Sequence, residues 1–202
     1  MPNKRDQAAV TVDRLRASAA GCRQCDLYKR ATQTVFGEGP PHARLVMIGE
    51  QPGAHEDKEG HPFVGPAGHL LDRALDEAGI DRTEVYLTNA VKHFKWKPSG
   101  KVRVHQRPNA AEIAACRNWW ESEIEAIKPE VLCCLGAIAA QTVLGRSFRV
   151  TKSRGQFFSL PSGIEAIATI HPSAVLRSDD RAAALAGLVH DLEIVRDRLA
   201  NA

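Results

Sequence analysis

His105 stands in the basic run Lys101-Val102-Arg103-Val104-His105-Gln106-Arg107. A neutral imidazole can attack an electron-poor carbon if a neighbour takes its second proton, so this residue is a candidate nucleophile. A second histidine opens His171-Pro172-Ser173, and Glu50 and Gln51 lie in Gly49-Glu50-Gln51-Pro52-Gly53. Asn89, in Thr88-Asn89-Ala90-Val91-Lys92-His93, brings an amide that both donates and accepts. Phe63, in Pro62-Phe63-Val64-Gly65-Pro66-Ala67-Gly68, offers an aromatic face. Two thiols in Cys22-Arg23-Gln24-Cys25 make one half of a zinc or iron–sulfur site. Every one of these residues also has an ordinary role. A lone histidine in a basic loop is commonly solvated, asparagine often bonds its own backbone, and a Gly- and Pro-rich segment commonly marks a turn.

Four apolar runs, 44–49, 85–89, 130–136 and 166–171, suit strands buried on both faces of a parallel sheet. Helical periodicity lies around and between them. Residues 67–78 carry Leu70, Leu71, Ala74, Leu75 and Ala78 at helix spacing, with Gly79 where a C-terminal cap belongs. Asn109 caps a helix that Lys128-Pro129 stops, and residues 7–20, 137–144 and 181–199 complete the set. Strands alternating with helices predict a three-layer α/β/α sandwich around a mainly parallel, four-stranded sheet. The motifs follow the C-terminal ends of predicted strands, the edge at which open α/β sheets bind ligands. One pocket could collect them.

The chain has 202 residues, a length that fits a single domain over residues 1–202 with a sizeable core. Hydrophobic residues at 44% and charged ones at 25% exclude a disordered or membrane-spanning composition, and no apolar run approaches the ~20 residues of a spanning helix. No signal-peptide core follows the N-terminus, and an odd count of five cysteines argues against a disulfide framework. A cytoplasmic protein, monomeric and with no membrane partner, is expected. A net charge of +3 says little about partners, but Lys92, Lys95, Lys97, Lys101, Arg103 and Arg107 fall in one short stretch. With Trp96 and the Pro98-Ser99-Gly100 turn, they suit a flexible arm that follows phosphates. Cys133 and Cys134, inside an apolar run, read as core.

In order and spacing these motifs resemble the uracil-DNA glycosylase superfamily, its iron–sulfur branch related to family four, and within that branch the UdgX group. Three features favour UdgX: Gln51, the extended loop ending in His105, and His93 where family-four members carry cysteine. Val102 departs from the usual loop, which has arginine there, and Ala54 stands where an acidic residue often follows Gly53.

The resemblance implies a glycosylase that excises uracil from DNA, with single-stranded DNA preferred, and that becomes covalently linked through His105 to C1′ of the abasic sugar; the alternatives are an ordinary hydrolytic, multiple-turnover iron–sulfur glycosylase and a non-catalytic lesion-binding protein of the same fold. Such an enzyme everts the nucleotide into a snug pocket. Gln51, Gly53, Phe63, Asn89 and His171 would form the uracil site. There Phe63 stacks, Asn89 pairs with the O4 and N3–H edge, and His171 with backbone N–H groups near Gln51 stabilises charge developing on O2. Glu50 is the candidate to orient His105. Lys101, Arg103 and Arg107 would follow the DNA backbone, as would Ser173 and Arg177, with Leu176 a wedge that keeps the base everted. Cys22, Cys25 and Cys116, with His93 at the fourth position, would hold a structural [4Fe-4S] cluster. Zinc is the alternative, because three thiolates and one imidazole also satisfy its tetrahedral preference.

Overall fold

A computed structural model describes residues 4–201. Its helices are α1 Lys4–Ala19, α2 Ala54–Glu59, α3 Pro66–Ala78, α4 Ala110–Ile127, α5 Ala137–Leu144, α6 Val150–Ser153, α7 Pro172–Leu176 and α8 Arg181–Ala200. Its strands are β1 Leu45–Gly49, β2 Val85–Asn89, β3 Trp96–Ser99, β4 Val102–His105, β5 Val131–Leu135, β6 Phe157–Ser159 and β7 Glu165–Thr169. The main sheet has the order β2-β1-β5-β7-β6, parallel except for β6, which runs antiparallel to β7. The four expected strands form its parallel part. The fifth, β6, has only three residues, too short for a pattern that periodicity can register.

Alternation along the strands builds the three layers. Val46, Ile48, Leu132, Cys134 and Ala168 point to one face, where Val12 and Ala19 of α1, Trp120 and Ile124 of α4, and Ala139 and Ala140 of α5 cover them. Leu45, Met47, Cys133, Leu135 and Ile167 point to the other, against Leu71, Ala74 and Leu75 of α3 and Leu188, Leu192 and Val195 of α8. Cys133 and Cys134 therefore face opposite layers as the core residues their sequence context predicts. Burial pushes the Cys133 thiol up to about 12 and Cys134 well above its ordinary range, which keeps both inert. Truncating Leu71, which is fully buried, would cost roughly 2–5 kcal/mol.

Helix ends follow the capping rules. The Asn109 side chain accepts from Glu112 N at 2.9 Å, and the Glu112 carboxylate accepts from Asn109 N at 2.7 Å, a reciprocal capping box. Gly79 ends α3 at φ +74, as its position after the last apolar residue predicts.

Residues 96–105 are a two-stranded antiparallel hairpin, in place of the flexible arm predicted there. Ser99 pairs with Val102 across a two-residue turn, and Gly100 supplies φ +58 at its first position. The run Lys-Pro-Ser-Gly-Lys reads as loop because its residues are mostly polar and its strands are four residues each. Cross-strand pairing and the anchors described below are what order it.

Candidate active site

The loops after β1, β2, β5 and β7, together with the end of β4, surround one cavity of about 740 Å3. Glu50, Gln51, Gly53, Phe63, Asn89, His105, Arg107, His171, Ser173 and Arg177 all line it. Ten of the residues singled out from sequence thus meet at one place.

Close approach of strand ends explains two of the glycines. A side chain on Gly49 would collide with Asn89 Oδ1 at 2.4 Å and the Phe63 ring at 2.8 Å, so these two groups flank the end of β1. One on Gly136, which holds φ +89, would meet His171 Cβ at 2.9 Å. Phe63 itself adopts φ +57, a left-handed conformation costly for a residue with a Cβ and one that clusters at functional sites. Its ring lies nearly parallel to that of His171, with centroids 6.3 Å apart. Glu56, which sequence reasoning passed over, holds this arrangement. Its buried carboxylate accepts from Gly53 N at 3.0 Å and Gly65 N at 2.8 Å, tying together the two glycine-bearing motifs. The signal was present, since a glutamate three residues after a helix N-cap is the capping-box position.

Asn89 is buried and makes no side-chain hydrogen bond among the described residues, so its amide faces the cavity with donor and acceptor free. His171 is oriented by the chain. Its Nδ1 accepts from Ser173 N at 3.1 Å and lies 2.8 Å from Ser173 Oγ, which leaves the proton of the neutral ring on Nε2. Burial, with smaller contributions from Arg177 and His105, pushes the His171 pKa down to about 4. The ring is therefore a neutral donor at neutral pH. Ser173, read from sequence as a DNA contact, has its hydroxyl and amide on His171.

The hairpin brings in His105, and three residues hold the hairpin. Arg103 reaches inward to Asp57, at 2.5 Å, and to Ala54 O at 3.0 Å, while its guanidinium lies over the Phe94 and Trp96 rings. Asp57 is fully buried and also accepts from Thr32 N and Thr32 Oγ1. Gln51 accepts from Lys95 N at 3.1 Å and donates to Gln106 O at 3.0 Å, with Lys95 O at 3.3 Å and His105 Nε2 at 2.8 Å. Two expectations change accordingly. The Arg103 guanidinium is spent on the protein instead of a phosphate, and the Gln51 amide faces the hairpin instead of a base.

The basic stretch is also less exposed than its sequence suggests. Lys92 is fully buried on Glu123, and Lys95 pairs with Glu112, which leaves Lys97, Lys101 and Arg107 without a salt bridge among the described residues. Leu176 is half-buried and does not line the cavity, whereas Arg177 is exposed at its rim.

Glu50 Oε1 lies 3.7 Å from His105 Nε2 and is buried without a hydrogen-bond partner. Burial raises its pKa, against the opposing pull of Arg107 and Arg177. Burial first, and then Arg177, lowers that of His105. Both shifts favour a neutral imidazole beside a carboxyl group able to take a proton.

Away from the cavity, Cys25 packs against the buried cluster that contains Cys116, and Cys22, Cys25 and Cys116 lie near enough to interact electrostatically. Trp119 Nε1 donates to Cys22 Sγ at 3.2 Å. Burial raises Cys25 and pushes Cys116 up to about 11, so both thiols keep their protons unless a cation displaces them. His93 is buried, with Nε2 3.0 Å from Thr34 Oγ1 and Nδ1 unpartnered. Among the described residues no three acidic, His or Cys side chains converge at ion-binding geometry. The donor chemistry nonetheless fits an iron–sulfur or zinc centre: three neighbouring thiols, and a buried imidazole nitrogen with nothing to bind.

Residues 36–193 match the uracil DNA glycosylase superfamily. The Type-4 uracil-DNA glycosylase of Thermotoga maritima is 40% identical over 158 residues, covering 78% of this chain and 79% of that one. That of Archaeoglobus fulgidus is 36% identical over 162 residues, covering 77% and 78%. The Type-5 uracil-DNA glycosylase of Thermus thermophilus is 34% identical over 160 residues, covering 69% and 68%.

Proposed function

Because the chain belongs to the uracil-DNA glycosylase superfamily, we propose that it excises uracil from DNA during base-excision repair and then captures the sugar through His105, as its resemblance to the UdgX group implies. The observation that carries this reading is the placement of His105 at the end of an anchored hairpin, in the same cavity as Asn89, Phe63 and His171.

The chemistry follows from the residues. An everted uracil stacks on Phe63 while Asn89 pairs with its O4 and N3–H edge; cytosine presents the reverse pattern and leaves the buried amide mismatched. As the glycosidic bond breaks, electrons pass to the base, and the Nε2–H of His171 stabilises the charge that develops on uracil O2. The sugar becomes electron-poor at C1′. Once the ring of His105 leaves Gln51, one of its nitrogens donates its lone pair to C1′, and the proton on the other passes to Glu50 as the ring turns. The product is a C–N bond that water does not readily cleave, so turnover stops after one event.

Gln51 acts in this scheme through the hairpin, holding His105 over the sugar. Asp57 and Arg103 do the same from the other side. Cys22, Cys25, Cys116 and His93 would hold a [4Fe-4S] cluster. When bound it would tie the segment around Cys22, the loop after β2 and α4 together, a structural service that zinc would also supply. The substrate is uracil-containing DNA, with single strands preferred.

A second reading, hydrolysis with multiple turnover, draws on the identity to Type-4 relatives and on the Gln51 amide, which occupies the lone pair of His105 Nε2. A denaturing gel of protein mixed with single-stranded DNA containing one uracil separates the readings. A slow band that survives heat and detergent supports capture. An alkali-labile abasic product without that band means hydrolysis, and no product at all overturns both.

A further inference from the structure

Between Glu130 and Glu165 the chain carries Arg146, Arg149, Lys152 and Arg154 and not one acidic residue. This segment includes α5 and the turn after it, and it forms one wall of a groove of about 400 Å3 whose other wall is the start of α4. Arg107, Arg117 and Arg146 line the groove together with Gln141 and Thr142. Arg146 has no ionic partner among the described residues, and Arg117 has only an exposed pair with Glu121 at 3.3 Å, a weak, solvent-screened contact that a phosphate can displace. The groove shares Arg107 and Ile138 with the active-site cavity, so the two are continuous.

We propose that this groove is a phosphate track: the DNA strand flanking the everted nucleotide leaves the cavity past Arg107 and runs between α4 and α5, its phosphates on Arg117 and Arg146. Concave shape, cationic lining and polar Gln141 and Thr142 suit a sugar–phosphate backbone, and the groove brings no large apolar surface that would suit a peptide. Arg177 also lines the cavity, so the strand would meet a further cation near the lesion. The inference rests on the cavity being the seat of an everted nucleotide, but its first test does not use catalysis.

Fluorescence anisotropy with a uracil-free, single-stranded oligonucleotide reads the track directly. Arg146→Glu and Arg117→Gln should each weaken binding at least about threefold at low salt and lower the slope of log affinity against log salt by about 0.7, the loss of one phosphate contact. Unchanged affinity and slope in both variants would overturn the track. Uracil-bearing oligonucleotides trimmed on one side or the other then give its direction: the Arg146→Glu defect should vanish when one flank is removed and persist when the other is. Equal sensitivity to both trims would mean a diffuse field and also overturn it. Should wild-type protein release no uracil while these binding defects remain, the glycosylase reading fails and the track stands.

Discussion

The Gln51 amide nitrogen sits 2.8 Å from His105 Nε2, and because an amide nitrogen only donates, the imidazole nitrogen must accept. Lys95 N–H on Gln51 Oε1 fixes which way the amide points. In this state the neutral ring carries its proton on Nδ1, and Glu50, 3.7 Å from Nε2, has no proton to receive. Capture of a sugar at Nε2 therefore requires the ring to leave Gln51, whereas the contacts of Gln51 to Lys95 and Gln106 can stay.

Replacing Gln51 with Ala removes the clamp on both hairpin strands. Adduct formation should fall about tenfold or more, since misplacing a reacting group by an ångström costs rate on the order of 10²-fold, while excision should change less because Asn89 and His171 do not touch Gln51. The ratio of covalent band to free abasic product measures this. An unaltered ratio would mean that the clamp does not position His105.

Substituting His105 with Ser or Gly opens the sugar to water. Released uracil should rise beyond one equivalent per enzyme and the heat-resistant band should disappear. A wild type that already turns over, or a variant that never exceeds one equivalent, would rule out capture.

The hairpin depends on the ion pair between Arg103 and Asp57. Asp57→Asn leaves the guanidinium without its charge partner in a mostly buried setting, an imbalance of the kind that costs roughly 3–5 kcal/mol when the pair is fully buried. Amide exchange in residues 96–105 should accelerate selectively and adduct yield should fall. Protection equal to that of the unaltered protein would show that the rings of Phe94 and Trp96 suffice to hold Arg103.

Much of this was legible in the sequence, and the reasons are physical. Strands buried on both faces, such as Leu45–Gly49 and Val131–Leu135, announce themselves as unbroken apolar runs, and Asn109 and Gly79 mark helix ends by their own chemistry. The convergence of Glu50, Asn89 and His171 follows from sheet topology alone. Long-range pairing was not legible. Lys92 reads as one more surface cation until Glu123, far along the chain, is seen to neutralise it, and Arg103 reads as a phosphate contact until Asp57 is seen beneath it. Short edge elements such as Phe157–Ser159 carry too few residues for a period.

The pH dependence has a definite sign. His171 and His105 both have lowered pKa values, so both are neutral over a wider range than a free histidine. Excision should stay level as pH falls through the ordinary histidine range, with the His171 contribution falling only as pH approaches about 4, while capture declines as the raised pKa of Glu50 lets that carboxylate take up a proton. For stability, the unfolded chain takes up a proton on these rings before the folded one does. Their contribution is complete above the ordinary histidine value, and it is lost as pH falls from there toward the folded pKa. An excision limb near pH 6.5 would indicate a histidine that titrates normally.

Metal removal tests the thiol cluster. Anaerobically purified protein should be brown, with visible iron–sulfur absorption that Cys116→Ala or Cys25→Ala abolishes. His93 Nδ1 is buried and unpartnered, so a ligand role satisfies an atom that otherwise lies idle in the interior. If it binds iron, His93→Cys should keep the colour and lower the reduction potential, since imidazole ligation raises potential relative to thiolate. Loss of the cluster should also lower Tm, because Cys22 and Cys25 precede the sheet in sequence and Cys116 lies inside α4, so the centre links segments distant in the chain. A colourless protein with one equivalent of zinc would replace iron and sulfur by a Cys3His zinc centre. A potential that does not move in His93→Cys would leave the iron with a different fourth ligand.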